Sequence, residues 1–202
     1  MGTCYIVGAG ELYGKICARE GDLVIAADGG LDSLSRIGIT PDVFLGDMDS
    51  VSASFSGETI RFPVRKDETD SFLAYREGAR RGYTDFVLLG GTGGREDHTF
   101  ANISLLYYAK MQGHKIKMIG RCNEFFVIKN ERITLRGKAG THFSAFALGG
   151  VARGVTISGL EYEADDVTLS PEYPLATSNI FKEGLAAVEV RDGALLIMTE
   201  SV

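Results

Sequence analysis

The 202-residue chain is 45% hydrophobic and 24% charged, with a formal net charge of −6. That fits one large or two small globular domains with a substantial core, and the lack of a Lys/Arg cluster argues against nucleic acid or an anionic membrane as the main partner. Cys4, Cys17 and Cys122, odd in number and without CxxC spacing, give neither a disulfide framework nor a zinc site, so a cytoplasmic setting is expected. The N-terminus has no basic leader, and no run of about 18 apolar residues occurs that would span a membrane.

In chain order, Tyr5-Ile6-Val7 predicts a strand broken at Gly8-Ala9-Gly10, followed by a helical stretch closed by Gly21. Leu23 to Ala27 predicts a second buried strand ending at Asp28-Gly29-Gly30. Leu31, Leu34 and Ile37 then recur at helical spacing before Gly38. Val43 to Leu45 and Ile60 to Phe62 predict two more strands. Thr69 or Asp70 can cap a helix running to about Arg81. Phe86 to Leu89 feeds the glycine-rich Gly90 to Gly94, a helix starts near Asp97 and stops at Gly113, and Lys115 to Ile119 closes the half. Strands alternating with helices predict a doubly wound, mostly parallel α/β sheet over residues 1–120.

Beyond Gly120 the pattern changes to short β-type runs at 125–128, 133–135, 143–147, 155–157, 187–190 and 195–198. Asp192-Gly193 reads as the turn of a hairpin, because a type I′ turn needs positive φ. A small antiparallel β-sandwich over residues 121–202 is predicted.

The residues that carry chemistry cluster at strand ends. Asp47 and Asp49 follow the short strand at Val43. Two apart on extended backbone, they point the same way. A hard cation such as Mg²⁺ would relieve their mutual repulsion. Asp67 and Asp70 share a face of a helix's first turn, where capping is the plain alternative to a third metal carboxylate. Lys66 beside them could meet a phosphate. Gly91, Thr92, Gly93 and Gly94 let backbone approach a ligand at a helix N-terminus, and Arg95 adds a planar fork for phosphate oxygens. There is no Walker A sequence, and Asp97 could cap the helix or orient His98 or Arg95. Asp28 with Gly29 stands at another strand end facing the same cleft. His114 and His142 read as structural.

Together these stretches resemble the thiamin pyrophosphokinase family. The resemblance rests on Ala27-Asp28-Gly29-Gly30, Gly38-Ile39-Thr40-Pro41-Asp42, Gly46-Asp47-Met48-Asp49-Ser50, Lys66-Asp67-Glu68-Thr69-Asp70 and Gly91-Thr92-Gly93-Gly94-Arg95-Glu96-Asp97-His98, then Ala101-Asn102. It thins in the second half, to Gly159-Leu160-Glu161-Tyr162 and Ser178-Asn179. What it implies is transfer of a pyrophosphoryl group from ATP to the thiamin hydroxyl, with Mg²⁺ on Asp47, Asp49 and Asp70. Asp28, Gly29, Lys66, the glycine loop, Arg95 and His98 would lie around ATP, and Asp70 or Asp97 would accept the hydroxyl proton. The resemblance also implies a homodimer with thiamin at the subunit interface and Ser178 and Asn179 against the thiamin ring. The family often places a Trp near thiamin; this chain has none, and Phe181 is the candidate in its place. A diphosphokinase for another alcohol, such as a hydroxymethylpterin, and a non-catalytic nucleotide or thiamin diphosphate sensor are the competing readings.

Overall fold

The computed structural model describes residues 2–46, 52–62 and 67–200. The chain divides into two compact units, Met1–Arg121 and Cys122–Val202.

The first unit is built on six parallel strands: β1 (Cys4–Val7), β2 (Leu23–Ala27), β3 (Val43–Gly46), β4 (Glu58–Arg61), β5 (Asp85–Leu89) and β6 (Lys115–Ile119). Their spatial order is β6-β5-β1-β2-β3-β4, every neighbouring pair parallel. The central strands are apolar throughout; all of β2 and β3 is buried. That composition suits strands covered on both faces. Alternate residues serve opposite faces. Val7, Val24, Ala26, Phe44 and Leu89 pack with Leu31 and Leu34 of helix α1 (Gly30–Arg36). On the other face helix α2 (Asp70–Arg80) lies so close that a Cβ on its Gly78 would meet Cys4 and Phe86. Helix α3 (Glu96–Met111) packs on β6 and α2. Helices on both faces make the sheet doubly wound, as predicted.

One predicted helix is absent. Between Gly10 and Gly21 the chain has no helix. The amides that would start it are already bonded: Gly10 N–H donates to Gly90 O at 2.9 Å and Glu11 N–H to Thr92 O at 2.9 Å. Gly14, at φ +80°, interrupts the rest. Leu12 and Ile16 are still partly buried against the core on the α1 face.

The second unit is an antiparallel sandwich with a different strand plan from the one predicted. The runs at 125–128 and 133–135 are one strand, β7 (Asn123–Arg136), and those at 187–190 and 195–198 are one strand, β12 (Leu185–Glu200). These two pair along their full length, with a register shift between Val190 and Ala194. Asp192-Gly193 is therefore not a hairpin turn. Gly193 has the positive φ (+107°) that the sequence demanded, and its N–H donates to Asn130 Oδ1 at 2.9 Å across an irregularity in both strands. At this bend β12 changes neighbours. Its first half pairs with β9 (Ala152–Ser158) and its second with β8 (His142–Ala147). Strands that switch sheets through a bulge form the corner of such sandwiches. β10 (Ala164–Leu169) and the short β11 (Asn179–Ile180), neither of them predicted, pair with β9 and β8. The core between the two layers includes Phe143, Val155, Ile157, Phe181, Val188 and Ile197.

Candidate active site

β1 and β5 lie side by side, yet from β1 the chain moves on to β2 and from β5 to β6, in opposite directions. Open α/β sheets bind ligands in the crevice at such a reversal, outside the carboxyl ends of the strands. Here a cavity of about 350 Å³ opens there. One wall is backbone, from Gly10, Gly90, Gly91 and Thr92; Asp28 and Ser71 supply another; Arg95, His98 and Asn102 come from the start of α3.

Close backbone packing shapes it. Gly8 N–H donates to Leu89 O at 2.8 Å, and with the Gly10 and Glu11 bonds this clips the segment after β1 to the glycine loop. Gly90 sits at φ +62°, and a Cβ there would run into the Gly8 carbonyl. A Cβ on Gly10 would stand 2.7 Å from Gly90 O. Gly8-x-Gly10, a weak signal by sequence, is thus a necessary half of the loop. Asn102, 4% exposed, donates from Nδ2 to Gly91 O at 2.9 Å and ties the loop to α3.

Asp28 ends β2 at φ +49°, a conformation that Asp tolerates better than most side chains. Its N–H donates to Leu45 O at 2.8 Å, which holds it beside the end of β3. A Cβ on Gly46 would lie 3.3 Å from Asp28 Cα. Asp70 is in the first turn of α2, whose cap is Thr69: Phe72 N–H donates to Thr69 Oγ1 at 3.3 Å. Asp47, Asp49 and Lys66 lie outside the described residues. Among the described residues no group of three or more His, Cys, Asp or Glu side chains is gathered as a metal site.

Arg95 precedes α3 and its fork is engaged by Asp97: Nη2 donates to Oδ2 at 2.5 Å and Nε to Oδ1 at 3.1 Å. Asp97 Oδ1 also accepts His98 N–H at 2.9 Å. The Arg95 hydrogen bond is the main cause that lowers the Asp97 pKa. Bonded to both Arg95 and its own helix backbone, Asp97 is placed to orient Arg95. Cys4 offers no alternative nucleophile; burial pushes its thiol up to about 12.

The predicted acceptor residues are in the sandwich. Ser178 is exposed at φ +58°, and its N–H donates to Ser144 Oγ at 3.1 Å. Asn179 is 3% exposed, with its side-chain amide bonded to the backbone of Tyr162. Phe181 does not replace the absent Trp, because it is 1% exposed inside the sandwich core. His114 Nδ1 is hydrogen-bonded to Tyr75 Oη at 2.7 Å and His142 Nδ1 to Glu200 Oε1 at 2.5 Å. A larger cavity, about 510 Å³, lies against α2 and α3 near His114. Its charged side chains pair with one another, Arg76 with Glu68 and Arg80 with Glu77, and it has no loop of backbone amides.

Two family models match the chain. Residues 16–118 match the model of the thiamin pyrophosphokinase catalytic domain, and residues 127–195 that of the thiamin pyrophosphokinase vitamin B1 binding domain. The chain belongs to the thiamin pyrophosphokinase family. Membership makes it an enzyme, a thiamin diphosphokinase by class. It is 27% identical over 184 residues to Thiamine pyrophosphokinase 1 of Oryza sativa subsp. japonica, covering 83% of this chain and 68% of that one. It is 32% identical over 111 residues to Thiamine pyrophosphokinase of Bacillus subtilis (strain 168), covering 52% of each. A crystal structure of thiamine pyrophosphokinase from Bacillus subtilis superposes with a TM-score of 0.89 over 98% of this chain and 99% of that one, at 23% identity. That likeness establishes the fold. No helix among the described residues is long and apolar enough to cross a membrane.

Proposed function

We propose that the chain is a cytoplasmic enzyme that transfers the terminal pyrophosphoryl group of ATP to the hydroxyl of thiamin, giving thiamin diphosphate and AMP. The observation that carries this is the cavity at the β1/β5 reversal, where glycine-loop backbone, the α3 N-terminus and Arg95 converge. Such a site suits a polyanion. Attack at the β-phosphorus moves negative charge onto the β oxygens and the AMP leaving group, so catalysis is mostly positioning and charge neutralisation.

The roles follow from the residues. The amides of Gly91 to Gly94 and the donors of Arg95 not taken by Asp97 hold phosphate oxygens, with Asp97 fixing the guanidinium and His98 beside it; Lys66 adds a point charge, and Asp28 and Gly29 face the nucleotide. One carboxylate, Asp70 or Asp97, accepts the hydroxyl proton. Asp47, Asp49 and Asp70 would hold Mg²⁺. The donor set fits that ion: it is all carboxylate, hard oxygen without thiolate or imidazole. Bound there, Mg²⁺ would act as Lewis acid and template for the phosphates. Ser178 and Asn179 belong to the thiamin side. The same reading makes the protein a homodimer with thiamin at the subunit interface, so light scattering should give twice the 21.8 kDa chain mass.

A chromatographic assay with ATP, Mg²⁺ and thiamin tests the reaction. AMP and thiamin diphosphate should appear in equal amounts, stop on chelation and resume with added Mg²⁺. Faster turnover of a hydroxymethylpterin than of thiamin, or binding of ATP without any turnover, would overturn the proposal. Asp47→Asn should lower kcat by about 10²–10³, the usual loss on removing one charge-stabilising group, with the far-ultraviolet spectrum unchanged. Turnover within threefold of the parent at saturating Mg²⁺ would remove Asp47 from the metal site.

A further inference from the structure

The buried serines and asparagines among the described residues are Ser33, Ser71, Asn102 and Asn179. Ser33 Oγ accepts from Arg36 Nη2 at 2.9 Å, and the Asn102 and Asn179 amides bond to the backbone of Gly91 and Tyr162. Ser71, 9% exposed, has no hydrogen-bond partner among the described residues. A buried hydroxyl left unpaired is costly and asks for an explanation. Among the described residues no side-chain oxygen or nitrogen is both sealed from solvent and unpaired. Ser71 Oγ therefore opens into the cavity at the β1/β5 reversal, which it lines.

Ser71, Ala74, Tyr75 and Gly78 are buried at helical spacing and form the stripe of α2 that faces the sheet. Such positions ordinarily carry apolar side chains. Gly78 lies against Cys4 and Phe86 at the start of β1 and β5, whereas Ser71 is level with Gly8, past the end of β1. A Cβ on Gly8 would stand 3.3 Å from Ser71 Oγ, so glycine there leaves the hydroxyl uncovered. In the same turn the Phe72 and Leu73 amides are taken by Thr69 Oγ1 and Thr69 O. The Ser71 N–H, second in the helix, has no acceptor within it. One residue thus offers two donors at a helix N-terminus, where the dipole favours an anion. The start of α3, with the glycine loop and Arg95, lines the same cavity. Donors from two helix starts suit a ligand with several charged oxygens.

We propose that Ser71 donates from Oγ and from its N–H to oxygens of the terminal pyrophosphoryl group of ATP. The inference rests on the pyrophosphoryl-transfer reading above and adds the residue that holds the transferred group from the α2 side. Asp70 precedes Ser71 in the same turn and belongs to the proposed Mg²⁺ set, so this end of the cavity is the transferring end.

Isothermal titration calorimetry on the full chain, with ATP, inorganic pyrophosphate and AMP as separate titrants, provides the test. Ser71→Ala should weaken Kd for ATP and for pyrophosphate about tenfold, the loss of one hydrogen bond to a charged group, and leave Kd for AMP, which lacks the transferred group, within about twofold. Ser71→Cys fills the same space with a poor donor, so it should lose as much as Ser71→Ala. Both variants should melt with the parent and keep its KM for thiamin. Parent-like Kd values for ATP and pyrophosphate in Ser71→Ala overturn the contact. An equal loss for AMP overturns the assignment to the terminal group. A parent-like Ser71→Cys beside a weakened Ser71→Ala makes the role one of packing and overturns the proposal too. Should Ser71→Ala not fold, Ser71→Cys decides alone. A parent that binds ATP and pyrophosphate yet makes no thiamin diphosphate defeats the functional reading, while the Kd values still decide Ser71; a parent that binds neither defeats both.

Discussion

Asn102 acts on the cavity through the backbone of the glycine loop. From the inner face of α3 it donates to the Gly91 carbonyl, and almost none of it is exposed. Truncation to Ala leaves that carbonyl short of a partner where water barely reaches, a cost of about 1–3 kcal/mol. Asn102→Ala should therefore lower urea stability by that amount and raise KM for ATP several-fold through a loosened glycine loop, with KM for thiamin unchanged. Unaltered stability and unaltered KM for ATP would free the loop from Asn102. At this scale the sequence was legible where charge type and place coincide, as with Asp28 at the end of β2 and Arg95 ahead of α3. It was less so for small polar side chains. Ser71 lines the cavity from the first turn of α2, yet a serine there looks like an ordinary helix start. Asn179 was assigned to the ligand by resemblance, while its amide is spent on the Tyr162 backbone, a partner seventeen residues away that no local pattern reveals.

Helix α2 shows what an element gains from charge at its end. Glu77 Oε1 accepts from Arg80 Nη2 and Arg81 Nε, both at 2.7 Å, and Arg81 Nη2 reaches on to Glu58 of the edge strand β4. Hydrogen bonds from Arg80 first, then Arg81, bring the Glu77 pKa down to about 2. The folded value lies below the unfolded one, so the contribution is complete above the ordinary glutamate range and is lost as pH falls through about 2. Glu77→Gln should thus cost about 1 kcal/mol at pH 7, and its urea curve should converge on the parent's between pH 5 and about 2. A difference that persists undiminished at pH 2 would place the effect outside this ion pair. Element ends were legible for the same local reasons: the Thr69 cap of α2 and the positive-φ Gly82 and Gly113 after α2 and α3 are short-range signals. Asp192-Gly193 carries an equally local signal, but positive φ serves a bulge as well as a turn, and only pairing with β7 decides between them. The segment 11–20 failed as a helix for the corresponding reason, since the bonds that displaced it come from residues 90 and 92.

At the scale of the whole molecule, alternating strand and helix signals were enough for a parallel sheet, because an apolar strand such as β2 can only be buried with both faces covered. The order of strands was not in any one stretch. It follows from the crossover between β4 and β5, which returns the chain past three strands and opens the crevice beside β1. Each unit has its own hydrophobic core, and the two proposed ligands are assigned to different units, so their effects on backbone protection should separate. Hydrogen exchange at equilibrium reports local opening, and a ligand slows exchange where it holds the closed form. ATP with Mg²⁺ should slow the amides of residues 8–11 and 90–99, which surround the cavity at the reversal. Thiamin alone should slow residues 159–163 and 179–182, the loop that Asn179 clasps and the segment paired with it. Protection by ATP confined to the sandwich would remove the nucleotide from the β1/β5 crevice. Thiamin protection confined to residues 8–11 and 90–99 would take thiamin away from the second unit.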